Sequence, residues 1–223
     1  MLAGRLMAAA GNLGAADPYW SYVRSLLHFD GTNGSTTLVD QKGLAYTAAG
    51  GSALSTATKK FGTAALSMVS GYLQGPSGTS NFGTADFTFE MWVNLPAADS
   101  NPPVYFESRP SSGTNGAYLY IDGGGVYVNS AYLMSWSSAP PKDGNWHFIT
   151  YSRKSGHGYL FLDGALSASG TDGTSYGGSA FEVGYNINGV VTDGFYIDEM
   201  RLTVGVGRYT AAFTPPTAPF PNN

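Results

Sequence analysis

The stretch "DGNWHFITYSRKSGHGYLFLDGALSASG", residues 143–170, decides how this chain is read. It holds two Asp-Gly pairs, Trp146, and two of the chain's three histidines, His147 and His157. Set among Ser, Tyr and Asp, those histidines can be taken as fragments of a catalytic site. The same residues can be taken as a plain β-hairpin. The periodicity favours the hairpin. In "WHFITYS" the side chains alternate, with Phe148 and Thr150 on one face and His147, Ile149 and Tyr151 on the other. "YLFLDGALSA" then reads as a strand, an Asp-Gly turn and a returning strand. The segment between the histidines reads as a strand and a Gly-His-Gly turn.

Working outward, the same pattern repeats. "SLLHFDG" (25–31) is an apolar run closed by Asp-Gly. "DFTFEMWVN" (86–94) puts Phe87, Phe89, Met91 and Val93 on one face, and Thr88, Glu90, Trp92 and Asn94 on the other. Further strands are expected at 64–69, 103–108, 117–123, 125–133, 180–186 and 195–204, a spacing typical of a sandwich or barrel. Eleven of the fifteen acidic residues are Asp, and six of these precede Gly: Asp30, Asp122, Asp143, Asp163, Asp172 and Asp193. Asn33, Asn115 and Asn188 add three Asn-Gly pairs. Such pairs supply positive φ values for tight turns, so most of the Asp is assigned to turns rather than chemistry. No segment sustains a helical period, apart from a short turn near 16–24.

Composition agrees. The 223 residues include 31 glycines and 14% aromatics, but only 12% charged residues, against roughly 25% in an ordinary domain. Net charge is −4, with no basic cluster of the kind nucleic acid or an anionic membrane requires. There is no cysteine, which excludes disulfides, thiolate metal sites and a cysteine nucleophile. No apolar run approaches the length of a membrane-spanning helix. The segment 1–16 has a Leu/Met/Ala run that Gly11, Asn12 and Gly14 interrupt, a weak match to a secretory signal. It is read as an N-terminal arm ahead of one domain over 17–214. The Pro-rich tail 215–223 cannot enter a central strand and is expected to run extended over the surface.

The ordered blocks "LLHFDG", "KKFGTAALSM", "GYLQGPSGTSNFGTADFTFEMWVN", "DGNWHFITYSRKSGHGYLFLDGAL" and "FYIDEMRLTVGVGRYTAAFTPP" resemble the laminin-G-like, concanavalin A-like jelly-roll family. The resemblance spans about 18–218, and its wording is similar to that of phage virion proteins. It implies an all-β sandwich of two antiparallel sheets, one concave, and binding or structural roles more often than catalysis. Many relatives bind glycans or calcium. For calcium the family positions match Asp30 and Asp198. The role implied is a virion structural or binding protein, a capsid decoration or a tail or fibre appendage. It would be held by other virion proteins and oligomeric within the assembly. The alternative is a secreted or virion-borne carbohydrate-binding module that meets a cell-surface glycan.

Enzyme chemistry finds little support. No Gly-x-Ser-x-Gly marks a nucleophile for either histidine. Glycoside hydrolysis needs two carboxyls on one face. Among Glu90, Glu107, Asp198 and Glu199, "FEMWVN" offers one acid, and "IDEM" places its two on opposite faces of a strand. No catalytic residue and no cofactor other than calcium is therefore expected. Tyr118, Tyr120, Tyr127, Tyr132, Trp136 and Tyr185 are candidates for a sugar-stacking or protein-binding surface. Alternation requires about half of them to be core.

Overall fold

The computed structural model describes residues 16–69, 71–97, 103–109, 120–128, 131–178, 180–186, 190–191 and 194–223. Among these the only helical element is a single 3-10 turn, Trp20–Tyr22. The rest is an antiparallel two-sheet sandwich of the expected jelly-roll class.

The first sheet runs in the order Ala165–Thr171, His157–Leu162, Trp146–Lys154, Phe87–Asn94, Phe195–Val204, Ala65–Met68, Ala53–Ser55. Val23–Leu27 pairs with the second half of Phe195–Val204, beside the stretch taken by Ala65–Met68. The second sheet runs Ala131–Ser135, Gly125–Val128, Tyr120–Asp122, Val104–Glu107, Glu182–Val183, Tyr72–Gln74, Ala45–Ala49, Thr37–Val39. Two small ribbons, Asn81–Gly83 with Tyr176–Gly177 and Tyr185–Asn186 with Val190–Val191, complete it.

The inner faces follow the alternation. Phe87, Phe89, Met91 and Val93 enter one continuous core with Ile149, Tyr151, Phe106, Ile121, Val126 and Val183. Phe82 stacks on Phe87 at 4.4 Å, and Phe89 meets Phe106 at 4.8 Å, so rings from both sheets interlock. The strand Phe87–Asn94 is nonetheless buried at every position. Its outward Trp92 joins a second cluster with Val23, Leu26, Phe148 and Phe220, flanked by Trp20, Phe61, Trp146 and Phe213. The first sheet is therefore covered on both faces, and the outer cover comes from the two ends of the domain together with Phe61.

The tail runs over the surface outside any strand, as expected, but it anchors one ring. Phe220 is 5% exposed; its ring lies 3.7 Å from the Arg201 guanidinium carbon and 6.3 Å from Phe148. Its N–H donates to Glu199 Oε2 at 2.8 Å. Asp17 N–H donates to Asn223 O at 2.5 Å, which fastens the start of the domain to its end. Proline content excluded a central strand but said nothing against docking one aromatic ring.

The "IDEM" segment also departs from simple alternation. Asp198 pairs with Trp92 and Arg201 with Glu90, so one extra residue is inserted and Glu199 takes φ 50. This bulge lets Asp198 and Glu199 both reach the segments covering the outer face, rather than pointing to opposite sides.

Candidate functional site

The outer face of the second sheet is not covered by the ends of the domain. Its register lines up one residue from each strand. Tyr132 pairs with Tyr127, Tyr127 with Tyr120, Tyr120 with Glu107, and Glu107 with Glu182. Glu182 then pairs with Gln74, Gln74 with Thr47, and Thr47 with Thr37. Directly opposed residues share a face, and their chain neighbours Val126, Ile121, Phe106, Val183, Leu73 and Leu38 are all core. A single transverse row of tyrosine, glutamate, glutamine and threonine therefore crosses the sheet.

Three of the candidate aromatics form a ladder at one end of this row. Tyr120 meets Tyr127 edge-on at 6.0 Å, and Tyr127 meets Tyr132 edge-on at 5.2 Å. Tyr120 is buried while Tyr132 is 49% exposed. The Tyr132 hydroxyl donates to Asp122 Oδ2 at 3.1 Å. Asp122 is itself held, accepting from the N–H groups of Gly124 at 2.7 Å and Gly125 at 3.0 Å. Tyr132 crosses directly over Gly124, where a methyl group would overlap its hydroxyl, so the glycine is needed for this close approach. The result is an exposed ring held in one orientation before any ligand arrives. Trp136 is core instead, 9% exposed, with Nε1–H donating to Asp122 O at 2.8 Å. Tyr185 is half-buried and packs against Tyr72 at 5.1 Å. Tyr118 lies outside the described residues.

The middle of the row is charged but closed. Glu107 is fully buried. It accepts from Arg109 N at 2.9 Å on Oε1, and from Nε at 2.9 Å and Nη2 at 2.5 Å on Oε2. Glu182, opposite, is 6% exposed, and its Oε2 has no hydrogen-bond partner. Burial first, and the neighbouring Glu107 second, push the Glu182 carboxyl above the usual range. Two carboxyls on one face are what an acid–base pair needs. Here, however, Arg109 occupies both oxygens of Glu107, which leaves it poorly placed as a nucleophile. Sequence reasoning missed Glu182, Arg109 and Tyr72. Their strands are short, and only the cross-strand register brings them together.

The two histidines of the opening stretch have separate places. His157 opens its strand opposite Lys154, and the turn before it is Ser155–Gly156, with φ values of 51 and 70. The Gly-His-Gly turn expected from sequence is displaced by two residues, because a serine accepts the left-handed conformation. His147 instead joins the two Asp-Gly turns. Its Nδ1 lies 2.7 Å from Asp163 Oδ2, and its Nε2 lies 3.2 Å from Asp143 Oδ1. Both acceptors are carboxylates, so both nitrogens donate only when the ring is protonated. Burial lowers the His147 pKa, but the bonds and charges of Asp163 and Asp143 outweigh it, and the net shift is upward. A raised folded-state value gives stability that is full below the unfolded value of about 6.5 and lost as pH rises through the folded one. Proton NMR of the imidazole is expected to titrate above that unfolded value. The unfolding midpoint is expected to fall between mildly acidic and mildly alkaline buffer, less so in His147→Asn. A ring titrating at or below the free value contradicts the clasp.

A family model describing the concanavalin A-like lectin/glucanases superfamily, of laminin-G type, matches residues 67–205. The chain belongs to that superfamily. Among solved structures, it is similar to domain 4 of an extracellular arabinanase from Geobacillus stearothermophilus, in complex with arabinotriose. Identity is 18%, TM-score 0.62, covering 86% of this chain and 94% of that one. It is similar to the Trypanosoma rangeli sialidase at 12% identity and TM-score 0.57, covering 82% of this chain but 30% of the sialidase. The binding domain of botulinum neurotoxin serotype D aligns at 13% identity and TM-score 0.56, over 84% of this chain and 49% of that domain. At these identities the likeness is one of fold. No curated protein sequence matches the chain.

The resemblance implies calcium at Asp30 and Asp198. Both carboxylates grip one loop. Asp198 Oδ2 accepts from Lys60 N at 2.8 Å and Phe61 N at 3.1 Å, and its Oδ1 from Glu199 N at 2.8 Å. Asp30 Oδ1 accepts from the Thr63 N–H and from Thr63 Oγ1 at 2.9 Å. With three N–H groups on its two oxygens, Asp198 offers little to a cation. Burial, against the pull of the Phe61 and Lys60 amides, pushes Asp198 up to about 7. Among the described residues no group of three or more His, Cys, Asp or Glu is placed to hold a metal. These residues do not fit calcium; their role is to fix the loop 60–63 over Trp92. Glu90 and Glu199 are likewise committed, to Arg201 and to Phe220 with His28.

Proposed function

We propose that this protein is a non-enzymatic glycan-binding module whose ligand face is the outer face of the second sheet. The observation that carries the reading is Tyr132: a half-exposed ring, immobilised by Asp122 and Tyr127, on a face whose other exposed row residues are Gln74, Thr47 and Thr37. Rings stack on the apolar faces of sugars, while amides and hydroxyls meet sugar hydroxyls. Because the ring is already fixed, little conformational entropy is lost on binding. The fold it shares with a domain holding arabinotriose supports the same reading.

On a glycan array the purified protein is expected to bind a subset of neutral saccharides and to release no reducing sugar from polysaccharides. Tyr132→Ala is expected to weaken that binding about tenfold or more, on the scale of a lost stacking contact, while leaving the melting temperature almost unchanged. Binding unaffected by Tyr132→Ala, or hydrolysis by the purified chain, overturns the proposal.

A second observation favours display on a larger assembly, of the phage-virion kind that the sequence resembles. Asp17 and Asn223 sit side by side on the first sheet, on the opposite side of the sandwich from the tyrosine ladder. A module held by its arm at 1–16 against virion partners then leaves the ligand face outward. Mass spectrometry of purified phage particles should detect the chain as a particle component; particles lacking it argue for a secreted module instead.

A further inference from the structure

The open edge of the second sheet borders a pit that the saccharide reading does not use. Thr37–Val39 is the last strand of that sheet, at the end away from the tyrosine ladder. Thr36 O accepts from Ala48 N at 2.7 Å, and Asp40 N donates to Leu44 O at 2.9 Å. By alternation, the N–H and C=O groups of Thr37 and Val39 point away from the neighbouring strand, toward the open edge. Alongside, the chain 26–31 runs in the opposite direction. Gln41 N donates to Leu26 O at 2.9 Å, and beyond that bond the two chains part. Among the described residues no backbone hydrogen bond joins 27–31 to 36–40. Phe29 takes φ 58 there, a costly conformation for a bulky residue. Its ring enters the core, and a gap is left beside the edge strand. That gap is a pit of about 180 Å³, with Leu27, Phe29, Leu38 and Leu54 in its lining and Asp30 as its one carboxylate. Val39 stands at its rim, 64% exposed.

We propose that this edge receives the segment 1–15 of a second copy as a short added strand, with Leu6 seated in the pit. An added strand pairs with exposed peptide groups, here those of Thr37 and Val39, and alternate side chains enter the pocket beneath. The pit is small against the roughly 300–1,000 Å³ of a drug-sized ligand site, so it suits one aliphatic side chain rather than a cofactor. Residues 1–15, "MLAGRLMAAAGNLGA", lie outside the described residues. Apart from Arg5 and Asn12 they are Ala, Gly, Leu and Met, with no branched or aromatic bulk beside the anchor. Arg5 is their only charge, and Asp30 is exposed to meet it. The bonds that Asp30 makes to Thr63 use Oδ1, which leaves Oδ2 to face the guanidinium. The root of the arm is fixed elsewhere. Asp17 is held by Arg201 and Arg208 on the outer face of the first sheet, whereas Thr37 and Val39 project on the outer face of the second. The stretch from Leu6 to Asp17 spans at most about 40 Å, enough to reach a neighbouring copy. Reciprocal insertion closes a twofold pair, and one-way insertion gives a ring or a row. Either joins copies while the tyrosine ladder stays open, and the proposal stands or falls without the saccharide reading.

Sedimentation of the full chain, from low micromolar to millimolar concentration, tests the proposal. Reversible self-association is expected. Leu6→Asp is expected to weaken it about tenfold or more, because a carboxylate is costly in an apolar pit, and Arg5→Glu is expected to weaken it by less, as a rim charge. Val39→Pro is expected to abolish it. That substitution removes an N–H facing the open edge, so pairing with Ala45–Ala49 and the melting temperature should survive. A synthetic peptide of residues 1–15 should dissociate the wild-type assembly, and the same peptide carrying Leu6→Asp should not. If Val39→Pro folds poorly, the peptide competition decides. A chain that stays monomeric at every concentration overturns the proposal, as does an association that Leu6→Asp and the peptide leave unchanged. Hydrogen exchange separates the remaining case: Thr37 and Val39 amides protected in a monomer, and exposed when residues 1–15 are removed, mean that the arm caps its own edge, which also overturns it. Association that behaves as expected in a protein binding no saccharide overturns the glycan reading alone.

Discussion

Arg201→Ala is expected to lower folding stability by about 3–5 kcal/mol, the cost of breaking a buried ion pair from one side. Arg201 lies under the domain ends with 5% side-chain exposure. Its Nη1 donates to Asp17 Oδ2 at 3.0 Å and its Nε to Glu90 Oε1 at 2.8 Å. Arg208 also donates to Asp17, at 2.7 and 3.0 Å, and Tyr209 OH donates to Glu90 Oε2 at 3.0 Å. Removing Arg201 thus leaves Asp17 and Glu90 buried with part of their compensation, which places the expected loss toward the lower end of the range. For a chain of this size the melting temperature should drop by on the order of 10 °C. The pair joins the central strand Phe87–Asn94 to the first residues of the domain, so the effect should be global. Burial raises the Asp17 carboxyl, but Arg208 and Arg201 outweigh it and hold it below its ordinary value. Its contribution is therefore present above the unfolded carboxylate range and fades as pH falls through the folded value. Urea denaturation of Arg201→Ala and of the apolar double variant Glu90→Leu/Arg201→Met checks this. The double variant should recover part of the loss, because it leaves no uncompensated charge at position 90. A single variant as stable as wild type shows that the network is solvated rather than buried.

The sandwich was legible because strand alternation is a local property. Phe87, Phe89, Met91 and Val93 needed no partner to declare a common face, and the core contains all four. Turn chemistry was legible in outcome but not in mechanism. Of the Asp-Gly pairs, Asp163 takes a positive φ. Asp122, Asp143 and Asp172 instead accept from the amide two residues on, at 2.7, 2.9 and 3.2 Å. Asp supports a turn by either route, and a dipeptide does not say which. The ligand face was only half legible. Tyr120, Tyr127 and Tyr132 stood out by residue type, but their ladder depends on pairing among three strands. Glu107 and Glu182 are 75 positions apart in the chain, and opposition between neighbouring strands leaves no trace in local periodicity. The bulge at Glu199 escaped for a related reason. One inserted residue shifts every later side chain to the other face, and nothing in "IDEM" marks the insertion.

Removing residues 215–223 is expected to destabilise the domain at least as much as Phe220→Ala, which should itself cost about 3–5 kcal/mol as a buried ring truncated to methyl. The deletion takes away the Phe220 ring, 5% exposed, from its place on Arg201 and Phe148. It also takes the amide that satisfies Glu199 Oε2, the Asn222 Oδ1 placed 2.6 Å from His28 Nε2, and the carbonyl that accepts from Asp17. Glu199, buried in its bulge, would keep only His28, whose Nδ1 lies 2.7 Å away. Trp92, Phe148 and Trp20 would lose their cover, and an apolar patch of that size promotes association. The truncated protein should therefore melt at a clearly lower temperature, bind more of a hydrophobic dye, and self-associate on a sizing column. Saccharide binding below its melting temperature should be retained, because the tyrosine ladder stands on the other sheet. That split separates a structural strap from a ligand-binding element: loss of binding in a folded, truncated protein would place the tail in the site. An unchanged melting curve would instead mean that the segment only lies over the surface, and that the outer face of the first sheet holds itself together without it.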